Sequence, residues 1–302
     1  LVTLWFVFLV LYPPSLVTIL QYTGYDEMVR ALRGSLPDPD VAVIDVDERS
    51  LAELGQWPWP RYRIAALLEQ AFLLGAQSVA VDFLFPEADR LSLNEVSELY
   101  RAERGITLNL DQIPGEAVDN DRTLAETVSR HKIVLGGDLT FGGTRQASPT
   151  ACGTPVNVVL RALPGTTGVP PVPRASGITC PIPELAEAAA FVASTNALPD
   201  RDGTLRRTPL VLRLGEQWVP SLALAALLAA LGEDHVVMEW SSAGVHELRV
   251  GEIAIPTDHQ ASLLIPFRGK PGERFPHISA ADVLAGRVES ACLQGKIVFI
   301  GS

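Results

Sequence analysis

The sequence predicts an α/β fold: a mixed, partly parallel sheet flanked by helices, preceded by one N-terminal transmembrane helix. Three observations predict it. Residues 1–20, LVTLWFVFLVLYPPSLVTIL, carry no charge. Two apolar runs, VAVIDV (41–46) and SVAVDFLF (78–85), flank a stretch of helical periodicity. Finally, 47% apolar against 20% charged residues is a globular balance, with enough apolar material for a core across 302 residues.

The apolar run comes first. Twenty helical residues rising about 1.5 Å each span about 30 Å, the hydrocarbon thickness of a bilayer. Pro13 and Pro14 would kink or end such a helix. The alternative is the apolar part of a signal peptide, but this run is longer and no small-residue cleavage site follows it. A membrane span over 1–20 is therefore expected, then a juxtamembrane segment over 21–36 and an extracytoplasmic domain over 37–302. Gln21 to Gly34 has a helical look, and its charges, Asp26, Glu27, Arg30 and Arg33, cancel. Pro37 and Pro39 break it.

The domain opens on VAVIDV, a continuous apolar run of the kind found in strands covered on both faces. Asp47 is a good N-cap. Ile64, Leu67, Leu68, Ala71 and Phe72 recur at helical spacing, and Gly75 ends that helix. SVAVDFLF is the next strand, so 41–85 reads as a βαβ unit with parallel strands. Residues 91–118 read as a helical excursion, 122–130 as a helix and 132–139 as a third strand. Residues 142–182 read as one long loop rich in Gly, Pro, Ser and Thr. A short helix follows at 183–190. Strands at 191–197 and 206–213 flank Asp202-Gly203, a hairpin signal. A helix from Pro220 to Leu231 and strands at 235–240, 246–255 and 261–267 come next. A helix at 279–285 and the strand KIVFIGS close the chain.

Chemistry-bearing residues are few. The net charge of −11, with no basic cluster, argues against nucleic acid, whose phosphates need Lys and Arg. No G-x-S-x-G, phosphate loop, H-E-x-x-H or G-x-G-x-x-G occurs. The five histidines and three cysteines have no metal spacing, so neither cofactor nor metal is expected. Cys152 and Cys180 either close their loop as a disulfide in an oxidising compartment or stay as unpaired small side chains. Cys292 reads as a buried small hydrophobe. Asp45, Asp47 and Asp82 end the two strands, with Glu87 and Asp89 after them. In parallel sheets the crevice beyond the carboxyl ends is the usual ligand site. These carboxylates would bind a cation or amine, or simply cap helices and turns. LGQWPWPR (54–61) forms a rigid aromatic turn, either a lip of a binding site or a plug on the sheet edge. Asp200-Arg201-Asp202-Gly203 fits the start of a calcium loop, but no Glu stands at the twelfth position.

Together these blocks resemble the CHASE type-2 domain, a cyclase/histidine-kinase-associated sensory extracellular domain. The resemblance rests on VAVIDVDERSLAELGQWPWPR, GAQSVAVDFLFPEAD, DNDRTLAETV, KIVLGGDL, NALPDRDGTLRRTPLV, PSLALAAL, AIPTD, LLIPFRG, ISAADVLAG and GKIVFIGS. YDEMVRALRG resembles the segment these proteins place after their first membrane helix. The match runs over nearly all of residues 20–302. Two departures are the long Cys152–Cys180 loop and FVASTN (191–196), where a Gly before the Asn is commoner. The resemblance implies an extracytoplasmic input domain of a receptor in the cell inner membrane. It regulates a cytoplasmic output enzyme: an adenylate or guanylate cyclase by preference, otherwise a histidine kinase, Ser/Thr kinase or diguanylate cyclase. The segment itself is expected not to be an enzyme, and the chain to be cut after its last strand. A homodimer through the full receptor and an unidentified small-molecule or ionic ligand are the expected partners, besides the membrane. Candidate ligand contacts are Asp45, Asp47, Trp57, Trp59, Arg61, Asp82, Asp121, Asp202 and Arg206. Two other readings compete: a membrane-tethered hydrolase using Asp45 and Asp82, and a dimerisation module that senses nothing.

Overall fold

Alternation along two strands separates the two larger apolar cores of the protein. Val79 and Val81 face one side of the main sheet and Ala80 the other; Ile133 and Leu135 face the first side and Val134 the second. This is the period of two that a strand imposes on its side chains. The structure is a computed structural model that describes residues 15–31, 40–142, 152–200, 202–267 and 275–302.

In chain order the elements begin with α1 (Ser15–Ala31), β1 (Val41–Asp45), α2 (Glu48–Leu54), α3 (Arg61–Leu73) and β2 (Ser78–Val81). Then come α4 (Leu93–Arg104), α5 (Gly115–Val118), α6 (Asn120–Arg130), β3 (Ile133–Thr140), β4 (Asn157–Ala162), β5 (Arg174–Ala175) and β6 (Gly177–Thr179). The middle of the chain supplies α7 (Pro183–Ala188), β7 (Phe191–Ser194), β8 (Arg207–Pro209), β9 (Val211–Leu214), β10 (Gln217–Pro220) and α8 (Leu222–Leu231). The last elements are β11 (His235–Ser241), β12 (Gly244–Val250), β13 (Ile253–Pro256), β14 (Ser262–Leu264), β15 (His277–Ser279), α9 (Ala280–Leu284) and β16 (Ile297–Gly301).

The main sheet runs β15-β1-β16-β2-β3, with β7 and β6 both on β3. All its pairings are parallel except β3 with β6. The closing strand KIVFIGS is central, as expected, because β16 inserts between β1 and β2. Helices α3, α6, α7 and α9 cover one face, where Leu67, Leu68, Leu124 and Leu185 are fully buried. Helix α8 covers the other face. Its Leu224, Ala225 and Leu228 pack with Val236, Met238 and Leu248 of the sheet β13-β12-β11-β4. Helix α8 is apolar on nearly every side because it is sandwiched between two sheets.

Four expectations are corrected. The hairpin around Asp202-Gly203 does not form: the chain turns there, with Gly203 N donating to Asp200 O at 2.9 Å. The strands on either side part company, however. β7 joins β3, and β8 pairs with β14. Asn196 holds the end of β7 on β3, and β8 begins beside Arg206, whose bonds are described below. Residues 142–182 are also no structureless loop, since β4, β5 and β6 lie in it and β4 pairs parallel with β11 across 78 residues of sequence. The expected strand 246–255 is two strands, β12 and β13, reversing at Gly251. Cys292 is half-buried, in a short 3-10 turn (Ser290–Cys292), rather than a core residue.

Of the expected membrane span, residues 1–14 lie outside the described residues. The rest of it, from Ser15, is continuous with the juxtamembrane segment in α1, which crosses the expected boundary at residues 20 and 21. No helix among the described residues is long and apolar enough to cross a membrane.

The disulfide alternative is the one realised: Cys152 and Cys180 are bonded, with Cα atoms 5.7 Å apart. Gly153 follows at φ +61°, and a Cβ there would stand 2.3 Å from Ala186 O, so this close approach to α7 requires glycine. The family departure at FVASTN leaves the sheet intact. Asn196 donates to Asp138 and Leu139 O and accepts from Leu139 N at 2.7 Å, stitching the end of β7 to β3.

Candidate functional site

The WPWPR turn sits over the carboxyl end of β2. Trp59 is buried and donates its indole N–H to Gly55 O at 2.8 Å. The bond between Trp57 and Pro58 is cis. Trp57 is 37% exposed; its ring stands 4.3 Å from Phe83 and 5.8 Å from Trp59.

Arg61 turns inward. Its guanidinium donates to the Asp121 carboxylate at the start of α6 and to Glu87 O, and it lies 5.2 Å from the Phe85 ring centroid. The Arg61 amide donates to Asp89 at 2.8 Å. The buried Asp89 carboxylate also accepts from Asn120 at 2.8 Å and from Leu91 N at 3.0 Å, and the Asp89 amide donates to Asp121 at 3.0 Å. Asn120 N reaches Ser92 Oγ at 3.1 Å. Every member is satisfied, which is the condition under which a buried polar network rigidifies its surroundings. Arg61 and Asp121, two of the predicted contacts, are thus brought together to clamp the turn, the 85–92 loop and α6. Their side chains are 8% and 14% exposed, Arg61 at the wall of one hollow and Asp121 at that of another.

The acidic crevice divides by role. Asp47 caps α2, accepting from Ser50 N at 2.8 Å, Ser50 Oγ at 2.6 Å and Ser279 Oγ at 2.9 Å. Ser50 Oγ in turn accepts from Ala281 N at 3.0 Å, so one carboxylate organises the starts of α2 and α9. Partial burial raises the Asp47 carboxyl, but the hydrogen bonds from Ser50 and Ser279 outweigh it and hold it below the usual carboxylate range. Asp82 directly follows β2, its amide donating to Ile300 O at 2.8 Å; its carboxylate has no hydrogen-bond partner among the described residues, and desolvation raises it. Asp45 lies 4.0 Å from His277. Because β16 stands between β1 and β2, the backbones of Asp45 and Asp82 are two strand spacings apart, about 10 Å. The two carboxylates do not form a proton-sharing pair.

The last two predicted contacts, Asp202 and Arg206, lie elsewhere and gain a partner the sequence reading missed. Arg206 is 5% exposed. Its Nε and Nη2 donate to both carboxylate oxygens of Asp26 at 2.9 Å each. Nη1 donates to Asp202 at 2.9 Å and Asp200 at 3.3 Å. The guanidinium also lies 4.4 Å from the Tyr22 ring centroid. The bonds to Asp26 first, and Asp202 next, raise the Arg206 pKa above its ordinary value against the opposing effect of desolvation. Asp26 and Tyr22 belong to α1. A signal for this existed in the sequence: Tyr22, Tyr25, Asp26 and Val29 share one face at i, i+3, i+4, i+7, and among the residues of α1 whose exposure is described these four are the less exposed. Tyr25 OH reaches Ile265 O at 3.4 Å on the same face. Helix α1 is therefore docked on the domain by a bidentate ion pair, the strong form of such a contact.

Two hollows flank the Arg61 clamp. One, of about 280 Å³, lies between the WPWPR turn and the 84–91 loop. The other, wider at about 680 Å³, is acidic, lined by Glu95, Asp119, Glu126 and Glu184 between α6 and α7. Among the described residues no group of three or more His, Cys, Asp or Glu side chains is placed to hold a metal ion.

Comparison with curated proteins and with solved structures gives no match. The CHASE2 domain model, in contrast, matches residues 2–302. By that match the chain belongs to the CHASE2 family, the sensory extracellular domains of signalling receptors, which are not themselves catalytic.

Proposed function

We propose that this chain is the extracytoplasmic input domain of an inner-membrane receptor, and that it acts on a cytoplasmic output enzyme through α1. The output favoured is an adenylate or guanylate cyclase, as the family resemblance implies. The observation that carries the reading is the Arg206 knot. It ties the turn after β7 to the helix that leads into the charge-free run of residues 1–20. A shift of the domain then drags α1 with it, because a bidentate pair resists both sliding and rotation. The second support is the Cys152–Cys180 bond, since such bonds persist in oxidising compartments. A ligand moves this system only by binding one arrangement better than the other.

The test is one of placement. Glu216, whose side chain is 94% exposed, is replaced by Cys in a Cys292→Ser background. In intact cells with a permeabilised outer layer, a membrane-impermeant maleimide is expected to label Glu216→Cys. Labelling that appears only after lysis of the inner membrane would overturn the reading.

A further inference from the structure

The 280 Å³ hollow at the WPWPR turn has a fixed base and an unfinished rim. Its base is immobilised. Trp59 is held by Gly55 O, Arg61 by Asp121 and Glu87 O, and the loop by Asp89 and by Ile182 N donating to Phe85 O at 2.8 Å. Its rim, in contrast, leaves three large apolar side chains in water: Trp57 at 37%, Leu84 at 43% and Leu91 at 54% exposure. Single exposed apolar residues are ordinary, but three around one concavity mark a binding surface.

The wall also states the charge of what it takes. Its charged residues are Arg61, Glu87, Asp89 and Arg90, which sum to zero. Each is engaged within the protein: Arg61 and Asp89 in the clamp, Arg90 with Glu87 at 2.5 Å. A charged ligand would find no unpaired counter-charge at the buried base, where it would lose its hydration, and would meet only the exposed Arg90–Glu87 pair at the rim. The volume lies just below the usual range for drug-sized ligands, so the occupant is small. Trp57, propped on Phe83 and Trp59, offers a flat, pre-oriented surface, and aromatic rings pack best against other planar rings.

We propose that this hollow binds a small, neutral, planar ring compound stacked on Trp57, and that it is the ligand site of the sensory reading above, on which this inference rests. Calorimetric titration of the full chain in lipid nanodiscs tests it, with indole as the planar probe and cyclohexanol as a non-planar control. Indole is expected to bind saturably at one site. Trp57→Ala and Leu91→Asp, both on the exposed rim, are each expected to weaken it at least tenfold with unchanged circular dichroism. Cyclohexanol is expected to bind at least tenfold more weakly than indole. No saturable indole binding, equal binding of cyclohexanol, or indole binding untouched by Trp57→Ala would each overturn the proposal. The maleimide result does not depend on any of these, so the hollow can fail while the sensory placement stands.

Discussion

Arg61 and Arg206 are both buried, both bonded to aspartates and both packed beside an aromatic ring, yet they do different work. The Arg61 clamp is sealed: the side chains of Arg61 and Asp121 are 8% and 14% exposed, and its partners all come from the domain's own loops and helices. The Arg206 knot is half-open. It gathers three carboxylates around one guanidinium, and two of them, Asp26 and Asp202, are 31% and 32% exposed. Attraction between charges weakens with the effective dielectric, so water at the knot lowers the cost of opening it. A sealed clamp makes a frame, and a half-open knot makes a joint. The frame stands under the proposed ligand hollow and the joint at the helix proposed to carry the signal.

The largest expected effect tests the frame. Arg61→Met strands the Asp121 carboxylate and Glu87 O in a nearly dry site, while Asp89 keeps its bond from the backbone amide, and is expected to cost about 3–5 kcal/mol of global stability. The denaturation midpoint should fall with an unchanged slope; a loss under about 1 kcal/mol would mean the clamp is not structural. Arg206→Met comes next, at about 2 kcal/mol, the scale of hydrogen bonds to charged groups. Its loss should be local. Hydrogen exchange is expected to accelerate across residues 22–31 while β1, β2 and β16 keep their protection. Equal loss in those central strands would erase the distinction between joint and frame.

The smallest effects come from two carboxyls shifted in opposite directions. Asp47 is held below its ordinary range, so its stabilisation is present above that range and lost as pH falls through its folded value. Asp47→Ala should cost about 1 kcal/mol at neutral pH, with the difference from wild type shrinking in acid. Asp82 is raised, so its favourable contribution exists below the ordinary carboxylate range and is lost as pH rises through the folded value. Asp82→Asn should therefore be slightly more stable than wild type at neutral pH and equal to it in acid. Thermal melts across pH read both, and a stability loss in Asp82→Asn at neutral pH would show that its carboxylate has a partner.

Local pattern made the βαβ core legible. Apolar runs of strand length, helical spacing from Ile64 to Phe72 and the Asp47 cap each depend on neighbours within a few residues. The central place of KIVFIGS also followed from its apolar run. The candidate list was half legible. It named Arg61, Asp121, Asp202 and Arg206, but a list of polar residues does not say which of them bond one another. Asp89, Asn120 and Asp26 were missed as partners. Asp26 had been set aside as one of four cancelling charges, although it lies on the same helical face as Tyr22 and Tyr25.

What the sequence alone determined is the family, the alternating strands and helices and the charge-free run ahead of them, because these are properties of short stretches of chain. Tertiary structure decided the rest. It sent β7 and β8 to different sheets in place of a hairpin, joined Cys152 to Cys180 and β4 to β11, and bonded Arg61 to Asp121 and Arg206 to Asp26 and Asp202. Those outcomes turn on pairing between residues as far apart as Asp26 and Arg206. Such pairing, whether of strands, cysteines or charges, is settled when distant parts of the chain close on one another, and no local pattern carries that information.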